Sequence, residues 1–161
     1  MKRDDWTTPQ KLFDFLNENF KFNVDAAASA RNAKCEHFYG KRENFLSPAS
    51  GPNNSARIWC NPPYSLSEHF ASKLLIFYRL WNISSVILLP VRSDRIWYQQ
   101  LLHTPNVRDV PITGRLHFGA SGKGAFMYSI LVIIGFKEVS FDYAYLDAGQ
   151  FNTKGRGSAT T

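Results

Sequence analysis

Apolar residues recur at four-residue spacing after Thr8 and Pro9: Leu12, Leu16 and Phe20, with Phe13 beside them. That spacing predicts a helix with one apolar face. Thr8 is placed to cap it, and Pro9 suits a first turn, where a missing N–H costs nothing. Residues 21–28 read as a short strand ending on small side chains, and residues 30–51 as a short helix followed by an irregular link. Residues 57–60 form a brief strand that stops at Asn61, Pro62, Pro63 and Tyr64. Two successive prolines neither continue a ladder nor enter a helix interior, so this is a rigid loop. Ser65 and Glu68 have capping-box spacing for a second helix, with a stripe of Leu66, Phe70, Leu74, Tyr78 and Trp81.

The run SSVILLP, residues 84–90, is apolar throughout, as expected of a strand covered on both faces. Residues 93–102 predict a further helix capped by Ser93, and residues 107–118 and 125–136 are two β-rich runs joined by a glycine-rich link at 119–124. Helix–strand alternation followed by a hairpin predicts an α/β sheet, mostly parallel, with an antiparallel edge. Residues 1–150 are expected to form one compact domain and 151–161 a flexible polar tail.

Composition narrows the class. The chain has 161 residues, 44% hydrophobic and 15% aromatic, enough for one core and unlike a disordered chain. A net charge of +6 favours a polyanionic partner or a negative membrane surface. Two cysteines, Cys35 and Cys60, make neither a disulfide framework nor a four-thiolate zinc site, and both read as packing residues. The opening MKRDDWTTPQ is polar, and the apolar run near residues 130–136 is far short of the ~18 residues of a membrane span. A soluble chain of a reducing compartment is expected.

The sharpest chemical feature is NPPY, residues 61–64, between a hydrophobic strand and a helix. Open α/β sheets bind ligands at the carboxyl ends of their strands, where this loop would lie. The Asn61 side-chain oxygen and the Pro62 carbonyl can accept both hydrogens of a planar exocyclic amine, and Tyr64 offers a stacking face. An adenine N6 amine is a poor nucleophile because its lone pair is delocalised. Acceptors that hold its hydrogens out of plane return the lone pair to nitrogen, with no strong base required. The bland alternative is a proline turn that merely ends a strand.

The motif in this setting resembles that of S-adenosylmethionine (SAM)-dependent amino-methyltransferases. The wider pattern, DDWTTPQKLFDFLN, VDAAASARNAKC, WCNPPYS, LLPVRSDRIWY and GRLHFG, resembles the small phage-type DNA N6-adenine methyltransferases, the phage Dam family. The resemblance implies a single Rossmann-like SAM-dependent methyltransferase domain with a seven-stranded sheet and a flipped-out adenine in DNA as acceptor. Methyl transfer by direct displacement, without metal, is implied, with GATC as the family-based site. So is a phage-encoded role in the host cytoplasm, marking DNA against restriction, with no obligate protein partner and no membrane.

Carried over by matching motif, Asn61, Pro62, Pro63 and Tyr64 form the catalytic loop. Trp6, Thr7 and Thr8 would approach the methionine end of SAM. Asp25, Ala26 and Ala27 stand where such enzymes keep a glycine-rich cofactor loop, here alanine-rich. Asn44 and Phe45, with Leu46, resemble the segment that holds the cofactor adenine. The stretch between Asp25 and Asn61 is short for the strand that carries the ribose-binding acid, and Glu36 and Glu43 both remain candidates. Arg92 and Arg95, after a buried strand, and Arg115 and Lys123 are candidate DNA contacts; Phe118 either walls the base pocket or is ordinary core. Cys35 and His37 lack the partner pair a metal needs, and Lys123 precedes glycine rather than Ser or Thr, which disfavours a nucleotide triphosphatase. Two rival readings stand beside this one: a protein-glutamine or RNA guanine methyltransferase using the same loop, and an inactive DNA-binding module that kept the fold.

Overall fold

A computed structural model of the chain describes residues 7–119, 127–141 and 144–152. Among them, seven strands form one sheet in the order β2-β1-β3-β4-β6-β5-β7. In chain order the elements are α1 (Gln10–Phe20), β1 (Val24–Asp25), β2 (His37–Phe38), β3 (Arg57–Cys60), α2 (Ser67–Trp81), β4 (Ser84–Pro90), α3 (Ile96–Leu102), β5 (Val107–Thr113), β6 (Ser129–Ile134) and β7 (Leu146–Asp147). β1 pairs in parallel with β2 and β3, and β3 with β4; β6 is antiparallel to both β4 and β5, and β7 is parallel to β5. The sheet is therefore mostly parallel, with one reversed strand. That strand lies inside the sheet rather than at its edge, because β6 inserts between β4 and β5, and β7 adds a further strand beyond β5.

Side-chain alternation splits the core into two layers. Trp59, Val86, Leu88, Leu131 and Ile133 face α1, where Leu12, Phe13, Leu16 and Phe20 are buried. Ile58, Cys60, Ile87, Leu89, Ile130, Val132 and Ile134 face the opposite layer with Phe70, Ala71, Leu74 and Phe77 of α2 and Tyr98 and Leu101 of α3. Burial on both faces is why β4 and β6 read as unbroken apolar runs.

Several local expectations change. The strand expected at 21–28 shortens to Val24–Asp25, because Lys21 sits in the left-handed region and closes α1. Residues 30–51 hold turns and strand β2, not a helix; the Tyr39 N–H donates to the Asp25 carbonyl and the Ala28 N–H to the Tyr39 carbonyl, which draws the segment alongside β1. No side-chain hydrogen bond caps α1, α2 or α3 at its N-cap, which is Pro9, Leu66 and Arg95 respectively, so the capping roles expected of Thr8, Ser65 and Ser93 are not taken. A 3₁₀ turn, Tyr64–Leu66, delays the start of α2 and rotates its buried stripe to Phe70, Ala71, Leu74 and Phe77, leaving Leu66 and Trp81 exposed. The run expected at 107–118 leaves the sheet at Gly114, whose φ is +75°, and sends Leu116 and Phe118 into the α1 layer. Asn152, expected in a frayed tail, accepts from the His117 N–H at 2.8 Å and donates to the Arg115 carbonyl at 3.0 Å. Residues 153–161 lie outside the described residues.

Gly135 turns the chain immediately after β6 with φ +78°, and a Cβ there would run into the Tyr78 ring and lie 3.1 Å from Ser84 Oγ. Left-handed strain and overpacking act together, so Gly135→Ala should cost about 2–4 kcal/mol of stability. Urea unfolding checks this; an unchanged midpoint would mean that Tyr78 yields and the turn tolerates a side chain.

Candidate active site

Two parallel strands place the site. Asp25 ends β1 and pairs with Trp59 of β3, and the NPPY loop begins one residue after Cys60 ends β3. Because β2 lies on one side of β1 and β3 on the other, the chain reverses its winding here, and that is where open α/β sheets form a ligand crevice. Thr7, Thr8, Asp25, Ala27, Asn32, Lys34, Trp59 and Asn61 line a small cleft at this point. Five of these were legible as candidates. Asn32, Lys34 and Trp59 were not singled out: the first two lie in the segment misread as helix, and Trp59 reads as a core residue within its strand.

Three separated motifs meet at the cleft. Asn61 Nδ2 donates to Thr8 Oγ1 at 3.0 Å, joining NPPY to TTP. The Gly119 N–H donates to the Thr7 carbonyl at 3.2 Å, joining GRLHFG to the same segment. Asp25 is only 2% exposed, and its two carboxylate oxygens accept from the Ala27 N–H at 3.2 Å and the Lys34 N–H at 3.0 Å. Burial raises the Asp25 pKa, and the two backbone donors and the Lys34 charge counter it only in part. Lys34 is anchored in turn to Gln10 of α1, at 2.7 Å, and its own pKa is lowered by burial.

Tyr64 begins the 3₁₀ turn after the prolines, with Pro62 buried and Pro63 half-buried. Burial pushes the Tyr64 phenol up to about 12, so it stays protonated at neutral pH. Burial likewise raises the Cys35 thiol to about 12 and Cys60 well above its ordinary value, which makes both poor nucleophiles. Among the described residues, no group of three or more His, Cys, Asp or Glu is arranged to hold a metal.

The remaining candidates separate. Ala26 is buried and Ala27 half-buried behind Asp25. Asn44 is exposed with φ +39°, whereas the Phe45 ring, 1% exposed, is stacked on Phe70 at 5.7 Å and belongs to the α2 layer. Any ligand contact from that segment therefore falls to Asn44 or to backbone. Glu43 accepts from the Gly40 N–H, and Glu36 is exposed. Phe118, 3% exposed, packs in the α1 layer. Trp6 and Lys123 lie outside the described residues.

Arg92 and Arg95 follow β4, the strand beside β3, on the same edge of the sheet as NPPY. Both hold Asp94: Arg92 Nε to Oδ1 at 3.0 Å, with a second bond from the same guanidinium, and Arg95 Nε to Oδ2 at 3.1 Å. The hydrogen bond from Arg92 is the main reason that the Asp94 pKa falls to about 2. Arg115 lies over the ring of Tyr128, 5.4 Å from its centroid, and that exposed aromatic was also missed from sequence.

A family model described as DNA N-6-adenine-methyltransferase (Dam) matches residues 1–135, and the chain belongs to that family. A DNA N-6-adenine-methyltransferase of Escherichia phage T1 is 35% identical over 99 residues, which cover 61% of this chain and 40% of that protein. Another from Haemophilus phage HP1 (strain HP1c1) is 30% identical over 98 residues, covering 60% of this chain and 55% of that one. The chain thus spans about half the length of these curated relatives. A solved structure from Thermoplasma acidophilum shares 8% identity over 85% of this chain and 71% of its own, with a TM-score of 0.39, too distant to bear on function. Among the described residues no helix is long and apolar enough to cross a membrane.

The raised Asp25 pKa has a consequence for stability. An unfolded carboxyl ionises near ~3.9. A native Asp25 that keeps its proton to higher pH binds more protons than the unfolded chain, so stability falls as pH rises through that window. Denaturation from about pH 4 to about pH 7 should show wild type losing stability relative to Asp25→Asn. Parallel curves would show that the buried carboxylate is fully compensated by its two backbone donors.

Proposed function

We propose that this chain transfers a methyl group from SAM to the N6 amine of adenine in DNA, using the loop Asn61, Pro62, Pro63 and Tyr64. The observation that supports it best is position: in a chain of the Dam family, NPPY leaves β3 beside the cleft that Asp25 closes. The donor set fits SAM, because its zwitterionic amino-acid end would find both a carboxylate, Asp25, and an ammonium, Lys34, lining that cleft. Thr7, Asp25, Ala26, Ala27 and Asn44 are the residues that would hold it, the Thr8 side chain being engaged by Asn61 instead. SAM, when bound, supplies an electrophilic methyl on a sulfonium.

The rest is done by the protein. With Nδ2 engaged by Thr8, the acceptor atom of the Asn61 amide is Oδ1. Oδ1 and the Pro62 carbonyl accept hydrogen bonds from the two amine hydrogens, the Tyr64 ring receives the flipped base, and the proton that the nitrogen sheds on methylation passes to water. The Tyr64 phenol, protonated at neutral pH, acts as a neutral wall rather than a base. Arg92, Arg95 and Arg115 contact backbone phosphates, and the phage origin of the relatives supports a role in marking phage or prophage DNA against host restriction, at GATC or a related site, in the host cytoplasm.

A labelled-methyl assay offering DNA, RNA and protein separately tests the reading. Label should enter DNA as N6-methyladenine, and Asn61→Ala should lower turnover by at least ~100-fold while leaving SAM binding in place, as for loss of one preorganised polar contact. Label in glutamine or guanine instead, or full activity in folded Asn61→Ala protein, would overturn it. DNA affinity should also fall steeply with salt, with Arg95→Ala lowering the slope by about one. Asp94→Asn, by releasing both arginines, should tighten binding at low salt. Affinity indifferent to salt would remove phosphate contact from this surface.

A further inference from the structure

We infer that Thr8 is a positioning residue that tethers the Asn61 side chain beside the cleft, and this rests on the function proposed above. Sequence pattern assigns the Thr8 hydroxyl to the start of α1, yet α1 has no side-chain cap. The hydroxyl instead accepts from Asn61 Nδ2 at 3.0 Å, across 53 positions of chain. Both ends of this bond are held by backbone that cannot easily shift. Thr8 is 4% exposed and precedes Pro9, whose carbonyl accepts from the Leu12 and Phe13 N–H groups at the root of α1. Asn61 is fixed between buried Cys60 and buried Pro62.

Orientation matters because an amide presents an acceptor at one end and donors at the other. Rotated by half a turn, Asn61 would offer an NH2 group to an amine that needs an acceptor, and donor would face donor. The bond to Thr8 fixes where the Asn61 amide sits; a hydroxyl can donate as well as accept, so what Thr8 supplies is the place of the side chain, with Nδ2 on the α1 side. The Thr7 carbonyl, tied to the Gly119 N–H, keeps the same segment in register with GRLHFG. Thr8 therefore acts on transfer through Asn61 and touches no reacting atom.

Thr8→Val keeps the shape and removes the acceptor, whereas Thr8→Ser keeps the acceptor. Misplacement of a reacting group by about 1 Å is worth on the order of 100-fold, so Thr8→Val should lower kcat by ~10–100-fold. SAM affinity by calorimetry should stay within about threefold, since the effect is on positioning rather than uniform binding. Thr8→Ser should recover most of the loss, and Thr8→Val should add almost nothing in an Asn61→Ala background. Wild-type kcat in Thr8→Val, a SAM affinity that falls as far as kcat, or an undiminished penalty in the Asn61→Ala background would each overturn the inference. A double-mutant cycle in urea unfolding reads the pairing without any methyl transfer, and zero coupling would overturn it too. If wild type methylates no DNA, the proposed function falls and the positioning role with it, and the unfolding cycle then shows whether the pairing alone survives.

Discussion

A strand that is apolar on both faces must be covered on both, and β4 and β6 are two such strands side by side. Everything else in the described structure is arranged around that demand. Even-numbered positions of β4 and odd-numbered positions of β6 need a helix on one face, which α1 supplies; the alternate positions need α2 and α3 on the other. Since α1 comes first in the chain and must reach the middle of the sheet, the segment before it is carried to the carboxyl ends of β1 and β3. The TTP residues thereby become neighbours of NPPY. The site is a by-product of how the core is covered.

That placement brings an electrostatic cost. Asp25 is buried beside two thiols, and its charge helps to hold both in the neutral form. Two backbone donors only partly offset its desolvation. A carboxylate kept where burial disfavours it is the kind of local conflict that marks functional positions, where binding is served at the expense of stability. The surface arginines show the opposite logic. Asp94 occupies both of them in water at little cost, so that a phosphate would replace an existing partner rather than meet a bare cation.

Legibility followed the range of the interactions responsible. Arg57–Cys60, Ser84–Pro90 and the proline stop between β3 and α2 were readable because periodicity and punctuation act over a few residues. Residues 30–51 were not. Their course is dictated by the Asp25 carboxylate and by backbone pairing with β1, neither of which leaves a local signal. Caps failed for a related reason: a hydroxyl near a helix start looks the same in sequence whether it serves the helix or a distant amide, as Thr8 does. The two-residue β7 is too short to carry any period. Of the site, the NPPY loop and Asp25 were visible as residue types, whereas Lys34, Asn32 and the engagement of Arg92 by Asp94 emerged only in three dimensions.

The reversed strand also dictates an order of assembly. β6 is inserted between β4 and β5, both of which leave the ribosome before it, so the middle of the sheet is filled late. A nascent chain that has not yet reached Ser129 leaves the apolar β4 without its neighbour on one side, the kind of surface that invites intermolecular pairing. The family match ends at residue 135, directly after this strand. Residues beyond it still complete the fold: β7 joins the sheet beside β5, and Phe141, Leu146 and Phe151 are buried in the α1 layer.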